Sequence, residues 1–176
     1  IREVVALLGF LVAAVCASSG TFANDASGTR VDGRVPVVDI HGHLSPRVIG
    51  FTLKVMKENG LGMMVNLSGG STERSFRVMQ QVYQVTDGKI LALYDPSSAD
   101  SDGADWGLRE AENLKLAVEQ YGYRGLKISK ALGLAVRLEG GVLLPVDDPA
   151  LDPLWEMAGI LGVPVAIHTG DPRAFW

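Results

Sequence analysis

Short apolar runs alternate with longer stretches in which apolar residues recur every three or four positions, and this alternation continues from Val35 to the end of the chain. The runs Val35 to Ile40, Met63 to Leu67, Ile90 to Tyr94, Gly125 to Ser129 and Val163 to Ile167 read as β-strands. Pro46 to Asn59 reads as a helix, with Ser45 as N-cap and Gly60 as its stop. Thr72 to Thr86 carries Phe76, Met79, Val82 and Tyr83 at helical spacing. Asp105 to Tyr121 has the stripe Leu108, Ala111, Leu114, Ala117 and Val118 and ends at Gly122. A longer loop containing Gly140-Gly141 leads to a last helix through Leu161, capped by Asp148 or Asp152.

Strands apolar on both faces, separated by amphipathic helices, predict an α/β fold with a parallel sheet of right-handed βαβ units. A doubly wound sheet and a (β/α)8 TIM barrel look alike at this level. The glycine-rich phosphate fingerprint of a dinucleotide-binding fold is missing after the first strand, where His41-Gly42-His43 stands instead, so the barrel is favoured.

The segment before Val35 behaves differently. Arg2 and Glu3 precede the apolar stretch Val4 to Val15, and small and polar residues follow to Ala23. That pattern fits a secretory signal over 1–23, cleaved after Ala23, and about twelve apolar residues are short for a membrane span. Residues 24–34 are rich in Gly, Ser, Asp and Thr and read as a linker. The chain is therefore expected to be periplasmic or secreted, with no stable membrane span after cleavage. Ala13-Ala14-Val15-Cys16 resembles a lipobox, but Val15 is bulkier than the usual residue there, so lipoprotein anchoring ranks second. Cys16 is the only cysteine, and its removal with the leader would leave no thiol chemistry.

The 176 residues are 47% hydrophobic and 20% charged with a net charge of -4, and the basic residues are scattered among acidic ones. Such a surface argues against nucleic acid and leaves a small molecule as the expected partner.

Only three histidines occur, and each lies at the predicted C-terminal end of a strand. His41 and His43 share a face at the two-residue period of a strand, with Cα atoms roughly 6.6 Å apart. In a parallel barrel the ends of strands one and five face each other across the mouth, so His168 can join them on one metal ion, each imidazole at about 2.0 to 2.1 Å for zinc. Three such ligands leave a position for water, whose pKa a zinc ion lowers from ~15.7 towards ~7. Asp39 shares the face of His41 and is a candidate hydrogen-bond acceptor behind the ligands, with a purely structural role as the competing reading.

Together Asp39-Ile40-His41-Gly42-His43, Gly125-Leu126-Lys127-Ile128, Leu151-Asp152-Pro153-Leu154-Trp155 and Ile167-His168-Thr169-Gly170-Asp171-Pro172 resemble the amidohydrolase-related branch of the amidohydrolase superfamily. The resemblance runs from Val35 to Trp176. It implies a metal-dependent TIM barrel in which His41, His43 and His168 bind a divalent metal, with zinc expected. An aspartate from strand eight and a histidine after strand six complete the family's site and have no counterpart before Trp176. Lys127 stands where two-metal members carry a carboxylated, metal-bridging lysine. In the mononuclear branch Lys127 or Lys130 would instead hold a substrate carboxylate, against the plain reading of a salt-bridged lysine. Asp171, in the loop after the third histidine, is a candidate substrate contact, and Arg173 and Trp176 could line the mouth.

The activity so implied is hydrolysis of an amide, ester or lactone by a metal-activated water. The alternative is a metal-dependent, non-oxidative decarboxylase of an unsaturated or aromatic acid. A third reading takes the barrel as truncated after about its fifth strand, since such barrels typically need about 250 residues and roughly 140 follow the linker. That reading makes the chain a catalytically inactive barrel fragment whose unpaired strand edges favour a homo-oligomer.

Overall fold

The computed structural model describes residues 37–98, 105–137 and 140–168. The leader 1–23, the linker 24–34, Asp171, Arg173 and Trp176 lie outside the described residues. Five strands alternate with helices: β1 (Val37–Gly42), α1 (Ile49–Glu58), β2 (Leu61–Asn66), α2 (Glu73–Val85), β3 (Ile90–Ala92), α3 (Trp106–Tyr121), β4 (Leu126–Ile128), α4 (Ala131–Leu134), α5 (Asp152–Leu161) and β5 (Val165–Ile167). Single 3-10 turns precede α1 (Pro46–Val48) and α5 (Pro149–Leu151).

Local chemistry sets the boundaries. Ser45 Oγ accepts from Arg47 N–H and Pro46 opens the first turn. Thr72 and Ser75 form a reciprocal capping box at the start of α2. Gly122 and Gly162 end α3 and α5 in the left-handed conformation. Asp148 caps the turn before α5 by accepting from Ala150 N–H. The short helix α4 falls in what the sequence pattern leaves as loop, because four residues are too few to display a helical period.

β1, β2 and β3 pair in parallel, as do β4 and β5. Tyr94 joins the two groups: its N–H donates to Gly125 O at 2.8 Å, and its carbonyl accepts from Lys127 N–H at 2.6 Å. The strands therefore follow one another in chain order, each beside its predecessor. This order excludes the reversal that defines a doubly wound sheet and matches the succession of strands along a (β/α)8 barrel wall. With right-handed crossovers that always step the same way, the helices gather on one face.

That face is the core. Met64, Ile90, Ala92, Tyr94, Leu126 and Ile128 from the strands meet Phe76, Met79, Leu114, Ala117 and Leu154 from the helices. On α3 the buried stripe is Trp106, Glu110, Ala111, Leu114 and Ala117. Leu108, expected in it, is 55% exposed. At ~100° per residue Leu108 lies about 120° from Leu114, whereas Glu110 lies about 40° away, so the polar residue occupies the buried side. Burial is tolerated because the Glu110 carboxylate accepts from the Tyr94 hydroxyl and from Ser97 N–H. β1 departs from the expectation of two apolar-covered faces: Val37, Val38 and Ile40 are exposed on this edge strand. Among the described residues no helix is long and apolar enough to cross a membrane.

Candidate metal and substrate site

Register decides which side chains share a face. Gly42 lies opposite Asn66, Asn66 opposite Ala92, Tyr94 opposite Leu126, and Lys127 opposite Ala166. Gly42, Asn66, Tyr94 and Leu126 belong to the helix-covered side, and a Cβ on Gly42 would stand 3.1 Å from the Met64 side chain. Alternation then assigns His41 of β1, His43 just after it, Leu67 after β2, Leu93 and Asp95 after β3, Lys127 of β4 and His168 after β5 to the opposite, inner face. The electrostatics agree. The His43 imidazole is held below its ordinary value, first by partial desolvation and then by the like charges of His41, Lys127 and His168.

His43 is fixed from both sides by one buried amide. Asn66 Oδ1 accepts from Leu44 N–H at 2.9 Å and from Ser68 N–H at 3.1 Å, while its Nδ2 donates to Leu44 O. Ser68 Oγ then meets His43 Nδ1 at 2.8 Å. The loop bearing Ser68 is pinned in turn by the Tyr123 hydroxyl, which donates to Gly69 O at 2.6 Å. Asp39 Oδ1 accepts from the backbone N–H of His41 at 2.9 Å, where the β1–β2 register shifts. The aspartate thus acts on the main chain of His41 rather than on its ring.

The rings of His41 and His43 have centroids 5.3 Å apart and an interplanar angle of 61°. Two imidazoles on one tetrahedral ion at ~2.1 Å have centroids about 5 Å apart, so this pair fits a shared ion. With Nδ1 engaged by Ser68, Nε2 of His43 is the nitrogen left for a metal. Among the described residues no three His, Cys, Asp or Glu side chains are gathered closely enough to hold an ion. The histidine pair is formed, and His168 is near enough to be felt by His43 without closing a ligand trio.

Lys127 is 4% exposed on the inner face. Lys130 is exposed at the start of α4. Three residues that the sequence reading passed over matter here: Asn66, Ser68 and Asp95. Each stands at or just past the end of an apolar run, the position from which the histidines drew their significance. Burial pushes the Asp95 carboxyl up to about 6, against the opposing pull of Lys127.

No protein-family model matches the chain, and no curated protein matches it. One solved structure that resembles it is a 5-carboxyvanillate decarboxylase from Novosphingobium aromaticivorans, with bound manganese and 3-methoxy-4-hydroxy-5-nitrobenzoic acid, at a TM-score of 0.48 and 16% identity. The match covers 67% of this chain and 34% of that one, so the chain spans about a third of that enzyme's length. At this level the likeness assigns neither family nor activity; what stands is a mixed α/β chain whose parallel strands bring histidines, a lysine and an aspartate to one sheet face.

Proposed function

We propose that the chain carries the divalent-metal site of an amidohydrolase-type (β/α)8 barrel, with His41, His43 and His168 as ligands and a small carboxylate-bearing molecule as substrate. The observation that carries this reading is the shared inner face of three imidazoles at the C-terminal ends of β1 and β5 and a buried lysine within β4. Zinc is the ion first expected, and imidazole donors suit manganese as well.

A bound ion would supply Lewis acidity and an acidified water. The chain's own groups do the rest. Ser68 and Asn66 hold His43 in one orientation, Lys127 offers a positive charge to an anionic substrate, and Asp95 carries a proton into the mildly acidic range. Loss of carbon dioxide from an unsaturated or aromatic acid uses these groups directly. Lys127 binds the acid, the carbon–carboxylate bond breaks, and the electron pair left on carbon takes a proton from Asp95. Hydrolysis of an amide, ester or lactone is the second reading, supported by the neutral imidazole donors, which leave the ion's charge free to acidify water.

Titration calorimetry with zinc or manganese tests the site. One ion per chain is expected, with affinity at least tenfold weaker in His43→Ala and in His168→Ala; unchanged binding in both variants overturns the metal reading. Carbon dioxide release from aromatic acids, measured against cleavage of ester and amide substrates by the metal-loaded protein, separates the two reactions. Export is part of the same proposal, and N-terminal sequencing of the exported protein should begin at Asn24.

A further inference from the structure

Asp95 and Lys127 each follow a residue of the Tyr94–Leu126 bridge, which puts them on neighbouring segments and, by alternation, on the inner face. Among the described residues neither side chain closes a hydrogen bond, nor an ion pair within 4.0 Å, on any partner. Each nevertheless interacts electrostatically with the inner-face cluster, Lys127 with both Asp95 and His43. A lysine only 4% exposed, with no hydrogen bond or ion pair to hold its charge, is a costly arrangement unless an anion completes it.

Next to this pair His43, just past the end of β1, interacts with Lys127 and, in turn, with His41 and His168. Asp39 is committed to the His41 amide. Among the described residues, Asp95 is the carboxylate whose electrostatics are tied to Lys127. Leu67 and Leu93, 2% and 6% exposed, lie on the same face and make the surroundings of the pair apolar.

We propose that Asp95 and Lys127 form a carboxylate-binding subsite, in which Lys127 anchors an incoming acid and Asp95 is the built-in competitor that weakens binding until it takes up a proton. This deepens the functional reading above by assigning its substrate class to a particular pair of residues. The subsite then prefers singly charged carboxylates over neutral isosteres and over dianions. Asp95 would act as a proton-dependent brake on Lys127.

Benzoate is the probe, with benzamide as its neutral twin, titrated into the whole chain by calorimetry with EDTA present, so that failure of the metal reading and failure of this one stay distinguishable. At pH 7.5 benzoate should bind at least tenfold more weakly to Lys127→Met and about tenfold more tightly to Asp95→Asn, while benzamide binds weakly to all forms. At pH 5 the advantage of Asp95→Asn should vanish. The histidines are common to both proteins, so their own protonation cancels from that comparison. Lys127→Arg should keep most of the affinity, and circular dichroism melts show whether each variant folds. Should Lys127→Met be unfolded, Asp95→Asn decides alone. Equal affinity of wild type and Asp95→Asn at pH 7.5, benzamide binding as well as benzoate, or no benzoate binding at all overturns the proposal.

Discussion

Gly69→Ala tests how the candidate site is held in place. A Cβ at position 69 would stand 2.1 Å from Leu93 O and 2.6 Å from Tyr123 Cε1. Ordinary contact begins near 3.4 Å, so the loop must retreat by roughly 1.3 Å. Leu93 cannot yield instead, because its N–H donates to Asn66 O at 3.0 Å and ties β3 to β2. Overpacking of this kind costs about 1–3 kcal/mol. The retreat also stretches the 2.6 Å bond from the Tyr123 hydroxyl, a residue 1% exposed, and an orphaned buried hydroxyl adds about 1–3 kcal/mol. A total near 3 kcal/mol is expected, seen as a lower urea midpoint at unchanged slope. Because Ser68 is the next residue, its hydrogen bond to His43 Nδ1 should break as well, moving the Nδ1 resonance in nitrogen-15 spectra. A midpoint within about 0.5 kcal/mol of wild type, with that resonance unmoved, would refute the idea that this close approach positions His43.

The other expectations are more direct. Tyr94→Phe removes a buried donor to the Glu110 carboxylate and should cost about 1–3 kcal/mol in chemical denaturation; no loss would mean the pair contributes nothing to the β3–α3 connection. Leu114→Ala should cost about 2–5 kcal/mol and Leu108→Ala less than about 0.5, a contrast that similar melting points would contradict. The Asp95 carboxyl holds its proton more tightly folded than unfolded, so its burden is absent below its ordinary value of 3.8 and complete above about 6. Wild type should therefore lose stability relative to Asp95→Asn as pH rises across that window; a constant difference from pH 3.5 to 7 would show that Asp95 is not buried as described.

The sequence by itself determined the order of the elements other than α4, because hydrophobic periodicity and capping residues are local: Thr72 with Ser75, Gly122, Gly162 and the apolar runs announce their elements without tertiary help. It also marked His41, His43 and His168, since a polar residue closing an apolar run must face something other than core, whereas Lys127 stands out only through the family resemblance. Periodicity erred where context overrode it, exposing Leu108 and burying Glu110 under the Tyr94 hydroxyl. Strand order is a different kind of fact. Only the pairing of Tyr94 with Gly125 and Lys127 separates the sequential sheet from a doubly wound one, because both obey the same local pattern. Only long-range pairing brings Asp95 within electrostatic reach of Lys127 and sets Ser68 against His43, juxtapositions of residues 25 to 32 positions apart that no local pattern encodes. Local sequence sets which way a side chain can point; its neighbour is chosen by long-range pairing.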